Sequence, residues 1–403
     1  MQGFRASADR FVPSDALLAK VEVAGWIPVV RSGRPPASAG GSRFSGRGRC
    51  HRGIDGRDRR PLPGRSTLRL VSDDAITPGS QAWLDSVTEA VIDPDAPIID
   101  PHHHLWPDGG SMSYGLDDLL ADLESGHNVV DTVFVECGAA YQRGDPATMA
   151  PVGETGFVVA EAERAPRQVM GGIVAHADLT SPELDDVLDA HEVAANGRLR
   201  GIRHAGSHAL HPEVLTIPGR AKAGLYADEA FRRGVARLGE RGLTYDTWHF
   251  HYQNREFVEL ARAVPDTQLV LDHFGTPLGV GPYASQRELI FDQWRADIVE
   301  IAGCPNVVAK IGGLAMRDNG FGWHTAERPP TSDEFVAAQG RYYSHTIEHF
   351  TPERCMFESN FPVDRLSLSY GVVWNAFKKI AAEFGEDERD AMLRGTAARI
   401  YRL

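Results

Sequence analysis

From about residue 78 the chain alternates between short apolar runs rich in Val and Ile and stretches with helical spacing. Eight runs read as strands. They are "PIIDPHHH" (97–104), "DTVFVECG" (131–138), "VMGGIVAHADL" (169–179) and "RGIRHAG" (200–206), then "LTYDTWHFH" (243–251), "QLVLDHFG" (268–275), "NVVAKIGGL" (306–314) and "CMFESNFP" (355–362). Helical spacing predicts helices over 182–195, 228–242, 254–264 and 287–303. Near-continuous apolar strands alternating with helices imply parallel β-α units with a covered sheet. Eight such units close a (β/α)8 TIM barrel, the α/β fold expected here. An open doubly wound sheet is the alternative. "GTAARIYRL" (395–403) reads as the end of a last helix packing back on the barrel.

Residues 31–69 break this pattern. They are rich in Arg, Gly, Ser and Pro, and they contain no lysine. Such a segment cannot bury enough apolar surface to offset its ordering entropy. Two regions are therefore expected: a disordered or poorly ordered Arg/Gly-rich extension over 1–77, and the barrel over 78–403. Residues 1–75 carry 14 Lys and Arg against 7 Asp and Glu, so the rest of the chain carries a net charge of −20. That balance argues against a nucleic-acid partner. No apolar run reaches the roughly 18 residues of a membrane span, and the start shows no charged-then-apolar export pattern. Four scattered cysteines form no disulfide framework or CxxC pair. The expectation is a cytoplasmic protein with a small-molecule partner and no membrane partner; a homo-oligomer stays open.

Candidate chemistry lies where the strands end. Nearly every run finishes in His, Asp, Arg, Lys or Glu, and a barrel's active site lies at the C-terminal ends of its strands. In "DPHHHLW" alternation puts His102 and His104 on one face and His103 on the other, with Asp100 sharing the parity of the pair. Two neutral imidazoles at the mouth can hold one divalent ion. "TYDTWHFHYQ" adds His249 and His251, of which His251 is favoured because it lies closer to the mouth. "LVLDHFGTP" adds His273 beside Asp272. Arg203 and His204 in "GIRH", Lys310 in "VVAKIGG" and Trp248 are the substrate-binding candidates, with arginine suited to a bidentate grip on a carboxylate or to polarising a carbonyl. There is no GxxxxGK[ST] phosphate loop and no GxSxG elbow.

"DPHHHLW", "GIRH", "YDTWHFHYQ", "VLDHFGTP" and "MFESNFPVD", in this order, resemble the amidohydrolase superfamily. Within it they resemble the amidohydrolase-related branch that includes sugar-lactone and dicarboxylate-lactone hydrolases. The resemblance covers roughly residues 90–403. It implies a metal site on His102 and His104, with His251 and His273 as further ligands. It also exposes a departure: the eighth strand of the family usually carries Ser-Asp-x-Pro, and that aspartate takes the proton from the attacking water. Here "SNFP" puts Asn360 in its place, and a carboxamide cannot act as a base near neutral pH. Glu358 or Asp364 must then take the proton, with Glu358 favoured by strand parity.

The reading is a metal-assisted hydrolase that opens a lactone by activated water, with Arg203 or the metal steadying the oxyanion. Zn²⁺ is the expected ion and Mn²⁺ the second; the resemblance also implies relatives that open lactones without a metal. Decarboxylation of an aromatic or unsaturated acid and non-catalytic binding of a small acid are the alternatives. His102→Ala with His104→Ala is expected to abolish turnover in either enzyme reading. Assay of a lactone panel with and without chelator, after metal analysis of the purified protein, checks it.

Overall fold

The computed structural model describes residues 77–106, 113–144 and 146–403. The extension expected over 1–77 lies outside the described residues up to residue 76. All eight expected strands are present, though most are shorter than their apolar runs. They are β1 (Pro97–His103), β2 (Asn128–Val135), β3 (Gly172–Ala175), β4 (Leu199–Arg203), β5 (Thr244–Thr247), β6 (Leu269–Leu271), β7 (Val307–Gly312) and β8 (Cys355–Glu358). Each pairs in parallel with the next, in the order β1 to β8. The ring returns to its start just beyond β8: His103 bridges Phe361, with His104 N donating to Phe361 O at 2.8 Å and Asn360 N to His102 O at 3.0 Å. This is the (β/α)8 TIM barrel. The expected helices occur at Leu184–Ala194, Glu229–Glu240, Asn254–Ala263 and Arg287–Ala302. No helix among the described residues is long and apolar enough to cross a membrane.

Alternation along each strand sorts side chains into two cores. Ile98, Phe134, Ile173, Ile202, Tyr245, Leu269, Leu271, Val307, Ala309, Ile311 and Phe357 pack with helix residues in the main cluster. Ile99, Val133, Val135, Val174, Val270, Val308 and Met356 form a separate cluster with Ala397, Ile400 and Tyr401. That second cluster is the apolar floor of the barrel, and the helix Thr396–Tyr401 seals it. One inward position further along, the residue type changes from apolar to charged: Val270 gives way to Asp272, Val308 to Lys310, and Met356 to Glu358. A charged layer thus rests on a hydrocarbon one.

β1 breaks simple alternation. Asp100 lies opposite Thr132 and His103 opposite Phe134, so three steps on β1 span two on β2. This bulge re-aims the chain. Ile99 faces the floor, yet His102 and His104, rather than His103, face the mouth. His103 instead meets Thr132 Oγ1 at 2.9 Å. Asp100 is turned away from the pair: its oxygens accept from Ser359 N (3.0 Å) and Tyr370 Oη (3.0 Å). Its shared parity with the histidines does not survive the bulge.

Tyr401 ties the floor to the charged layer, because its phenol donates to Asp246 Oδ2 and its ring lies under Lys310 Nζ at 5.3 Å. Tyr401→Ala is expected to cost about 3–5 kcal/mol of stability, and Tyr401→Phe about 1–2 kcal/mol. Urea denaturation of both variants checks this; equal midpoints for Tyr401→Ala and the parent would show that the floor is sealed some other way.

Candidate active site

Six charged side chains from different strands converge above the floor. Lys310, fully buried, lies 2.9 Å from Asp246 Oδ2 and 3.2 Å from Asp272 Oδ1. Arg203 donates through Nε to Glu136 Oε1 at 2.8 Å and lies 3.8 Å from Asp272 Oδ2. Glu358 reaches His273 Nδ1 with Oε1 (2.7 Å) and approaches His102 Nδ1 with Oε2 (2.7 Å). Four carboxylates therefore surround two cations, an excess of negative charge in a largely buried site.

The titration shifts follow from that imbalance. Burial pushes Glu358 up to about 8, against the pull of Lys310. Burial likewise pushes Asp272 up to about 6, with Lys310 opposing and Asp246 adding to the rise. Burial acts to lower Lys310, but Asp246, Asp272 and Glu358 together hold it above its ordinary value. Burial and the neighbouring Lys310 keep His102 far below the usual imidazole range, and burial with Arg203 does the same for His104. Both rings are neutral, so both offer lone pairs.

The geometry fits a divalent ion. His102 Nε2 and His104 Nε2 lie 3.3 Å apart, and two nitrogens on one tetrahedral Zn²⁺ at about 2.0–2.1 Å sit about 3.3–3.4 Å apart. His104 Nδ1 lies 2.7 Å from Val135 O. A carbonyl only accepts, so Nδ1 carries the hydrogen and Nε2 the lone pair, as in metal-binding histidines. His102, His273 and Glu358 each present a ligand atom within 4.8 Å of the others. Both oxygens of Asp272, and Glu358 Oε2, are buried without an aligned hydrogen bond. For Oε2 this holds although His102 Nδ1 is only 2.7 Å away, a close approach at an angle unsuited to a hydrogen bond.

Local backbone sets these positions. β6 ends at Leu271, and the chain turns sharply through His273 (φ 53°) and Phe274 (φ 58°), a left-handed conformation that is costly outside glycine. The turn swings His273 back over the barrel, 4.6 Å from the His102 ring. Gly313 leaves room for it: a Cβ there would lie 2.2 Å from His273 Nδ1, at a φ of +72°.

The remaining candidates lie around this centre. His251 follows β5 in a short 3-10 turn, where Nδ1 accepts from Leu278 N (3.3 Å) and the ring packs on Tyr252 and Tyr283. Among the described residues it is not brought into the ligand group. His249 has both nitrogens engaged, by Tyr226 Oη (3.1 Å) and Asn254 Oδ1 (3.0 Å). Asn360 donates to Asp364 Oδ1 at 2.9 Å, and Asp364 Oδ2 accepts from Ala315 N at 3.1 Å. Burial pushes Asp364 up to about 8. Trp248 stacks edge-on against Phe250, and its indole N–H is buried without a partner. His204 accepts from Leu179 N at 3.2 Å and packs against His176 and Phe231. Asp246, which parity sets on the face opposite His249 and His251, and Glu136, only a secondary strand-end candidate in the sequence, are both members of the cluster, and the sequence marks Asp272 only as the neighbour of His273.

The Amidohydrolase family profile (Amidohydro_2) matches residues 99–403. The chain is 35% identical to the uncharacterized protein y4mH of Sinorhizobium fredii over 338 residues, 77% of this chain and 99% of that one. It is 29% identical to an L-fucono-1,5-lactonase of Burkholderia multivorans over 315 residues, 76% of this chain and 96% of that one. Among solved structures, an amidohydrolase of Burkholderia multivorans with bound HEPES superposes with a TM-score of 0.59 at 26% identity, over 76% of this chain and all of that one. A second crystal form holds zinc (TM-score 0.58, 26% identity, 76% and 100% covered). A barrel whose strand tips gather imidazoles, carboxylates and two buried cations is thus matched along its whole length by one profile, and the chain belongs to the amidohydrolase family.

Proposed function

We propose that this amidohydrolase is a metal-assisted hydrolase that opens a lactone of a sugar acid. The observation that carries the reading is the His102–His104 pair, with nitrogens 3.3 Å apart beside carboxylate oxygens that lack aligned partners. The similarity to an L-fucono-1,5-lactonase over 96% of its length supports a cyclic ester as substrate. His102 and His104 hold the ion through their Nε2 atoms, with His273 and Glu358 beside His102. A bound Zn²⁺ or Mn²⁺ supplies Lewis acidity, polarising a carbonyl and making water more acidic.

The protein's own groups divide the remaining work. Glu358 orients the His273 ring through Oε1 and lies close against His102 with Oε2. Asp272 has two oxygens without an aligned hydrogen bond and a pKa of about 6, so it is largely ionised at neutral pH and takes the proton of the attacking water. Lys310, locked by Asp246, steadies Asp272. Arg203, anchored by Glu136 and 3.4 Å from His102 Nε2, faces the oxyanion that forms when water adds to the ring carbonyl. Collapse of that adduct breaks the ring C–O bond, and the proton passes from Asp272 to the departing alkoxide, giving an open hydroxy acid. The Asn360–Asp364 pair supports the turn after β8.

A panel of sugar lactones, L-fucono-1,5-lactone included, tests the reaction by acid release. Ring opening is expected; release of CO₂ from aromatic acids with no lactone turnover would overturn the reading. Asp272→Asn is expected to lower kcat by about 10²–10⁴ with bound metal retained. Glu358→Gln is expected to weaken metal affinity by about 10–100-fold. Metal analysis beside steady-state kinetics separates the two, and the assignment fails if Asp272→Asn keeps parental kcat.

A further inference from the structure

The outer face of the barrel carries a second cluster of metal-ligating groups, on the helix Ser332–Phe350. We propose that His345, Glu348 and His349 form a second site for a borderline divalent ion of the Cu²⁺, Ni²⁺ and Zn²⁺ class, separate from the barrel centre. The sequence "HTIEH" spaces these residues at i, i+3 and i+4, which puts all three on one helix face. Their ligand atoms lie within 4.8 Å of one another, and the two rings meet edge to face with centroids 4.5 Å apart.

The tautomer of His345 is set from outside the helix. Its Nε2 lies 2.9 Å from the backbone oxygen of Arg295, on the neighbouring helix Arg287–Ala302. That oxygen accepts only, so Nε2 bears the hydrogen and Nδ1 keeps a lone pair, the arrangement by which a protein orients a ligating histidine. Packing against Trp294 accounts for the ring of His345 (centroids 5.7 Å) but not for half-buried His349 and exposed Glu348 beside it. The Arg295 charge opposes a cation here, and the Glu348 carboxylate offsets it. Two imidazoles and one carboxylate suit Cu²⁺, Ni²⁺ or Zn²⁺ and discriminate against Mg²⁺ and Ca²⁺, which take oxygen ligands. The face is open to water, so the site binds an ion with free coordination positions.

Titration of the full chain with Cu²⁺, followed by calorimetry and electron paramagnetic resonance, tests the site. The parent is expected to bind one more Cu²⁺ than His345→Ala/His349→Ala, and the variant to lose one nitrogen-coupled signal. Glu348→Gln is expected to raise the dissociation constant of that ion about tenfold. Excess Mg²⁺ is expected not to displace it. Equal stoichiometry and equal spectra for the parent and the double variant would overturn the site.

Discussion

The contact on which the structure turns is the fully buried pairing of Lys310 with Asp246 and Asp272. A lysine with no access to water is tolerable only if opposite charge is already in place. Removing one member of such a pair costs about 3–5 kcal/mol, because a buried charge is left uncompensated. Each remaining member of the cluster is held by this requirement. Asp246 needs Thr244 and Tyr401 as further donors. Asp272 sits between Lys310 and Arg203, and Arg203 is in turn fixed by Glu136. The cluster behaves as one unit contributed by β4 to β8 and by the turn after β2.

The hydrocarbon floor gives that unit its strength. Val133, Val135, Val174, Val270, Val308 and Met356 exclude water from below, and Tyr401 closes the centre. Electrostatic interactions in such a place are several-fold stronger than at the surface. The same burial makes Glu358 and Asp272 hard to ionise together, and both are raised above their ordinary values. A dication beside His102 and His104 would balance that excess. Metal affinity and carboxylate acidity are thereby two expressions of one charge count.

The barrel was legible because each strand is a dense apolar run, and because polar residues mark where each run meets the mouth. The pairing of His102 with His104 followed from alternation. Asp100 did not, because the β1 bulge depends on the register against β2, which no single run of residues encodes. The comparison of His249 with His251 assumed that β5 continues to residue 251, whereas it stops at Thr247 and the chain turns. Asp272 was overshadowed by His273 next to it. The left-handed turn that separates the two arises from packing against Gly313 and Glu358, more than 35 residues away in sequence. Lys310 was visible as a cation at a strand end, but its partners Asp246 and Asp272 were visible only in three dimensions.

The distances along the chain between these partners carry a kinetic meaning. Lys310 lies 208 positions from His102, Tyr401 lies 155 from Asp246, and Tyr370 lies 270 from Asp100. Contacts of such separation form late, since the closure entropy of long loops must be met first. No partial barrel holds more than fragments of the charged layer, so assembly of this centre coincides with completion of the ring itself.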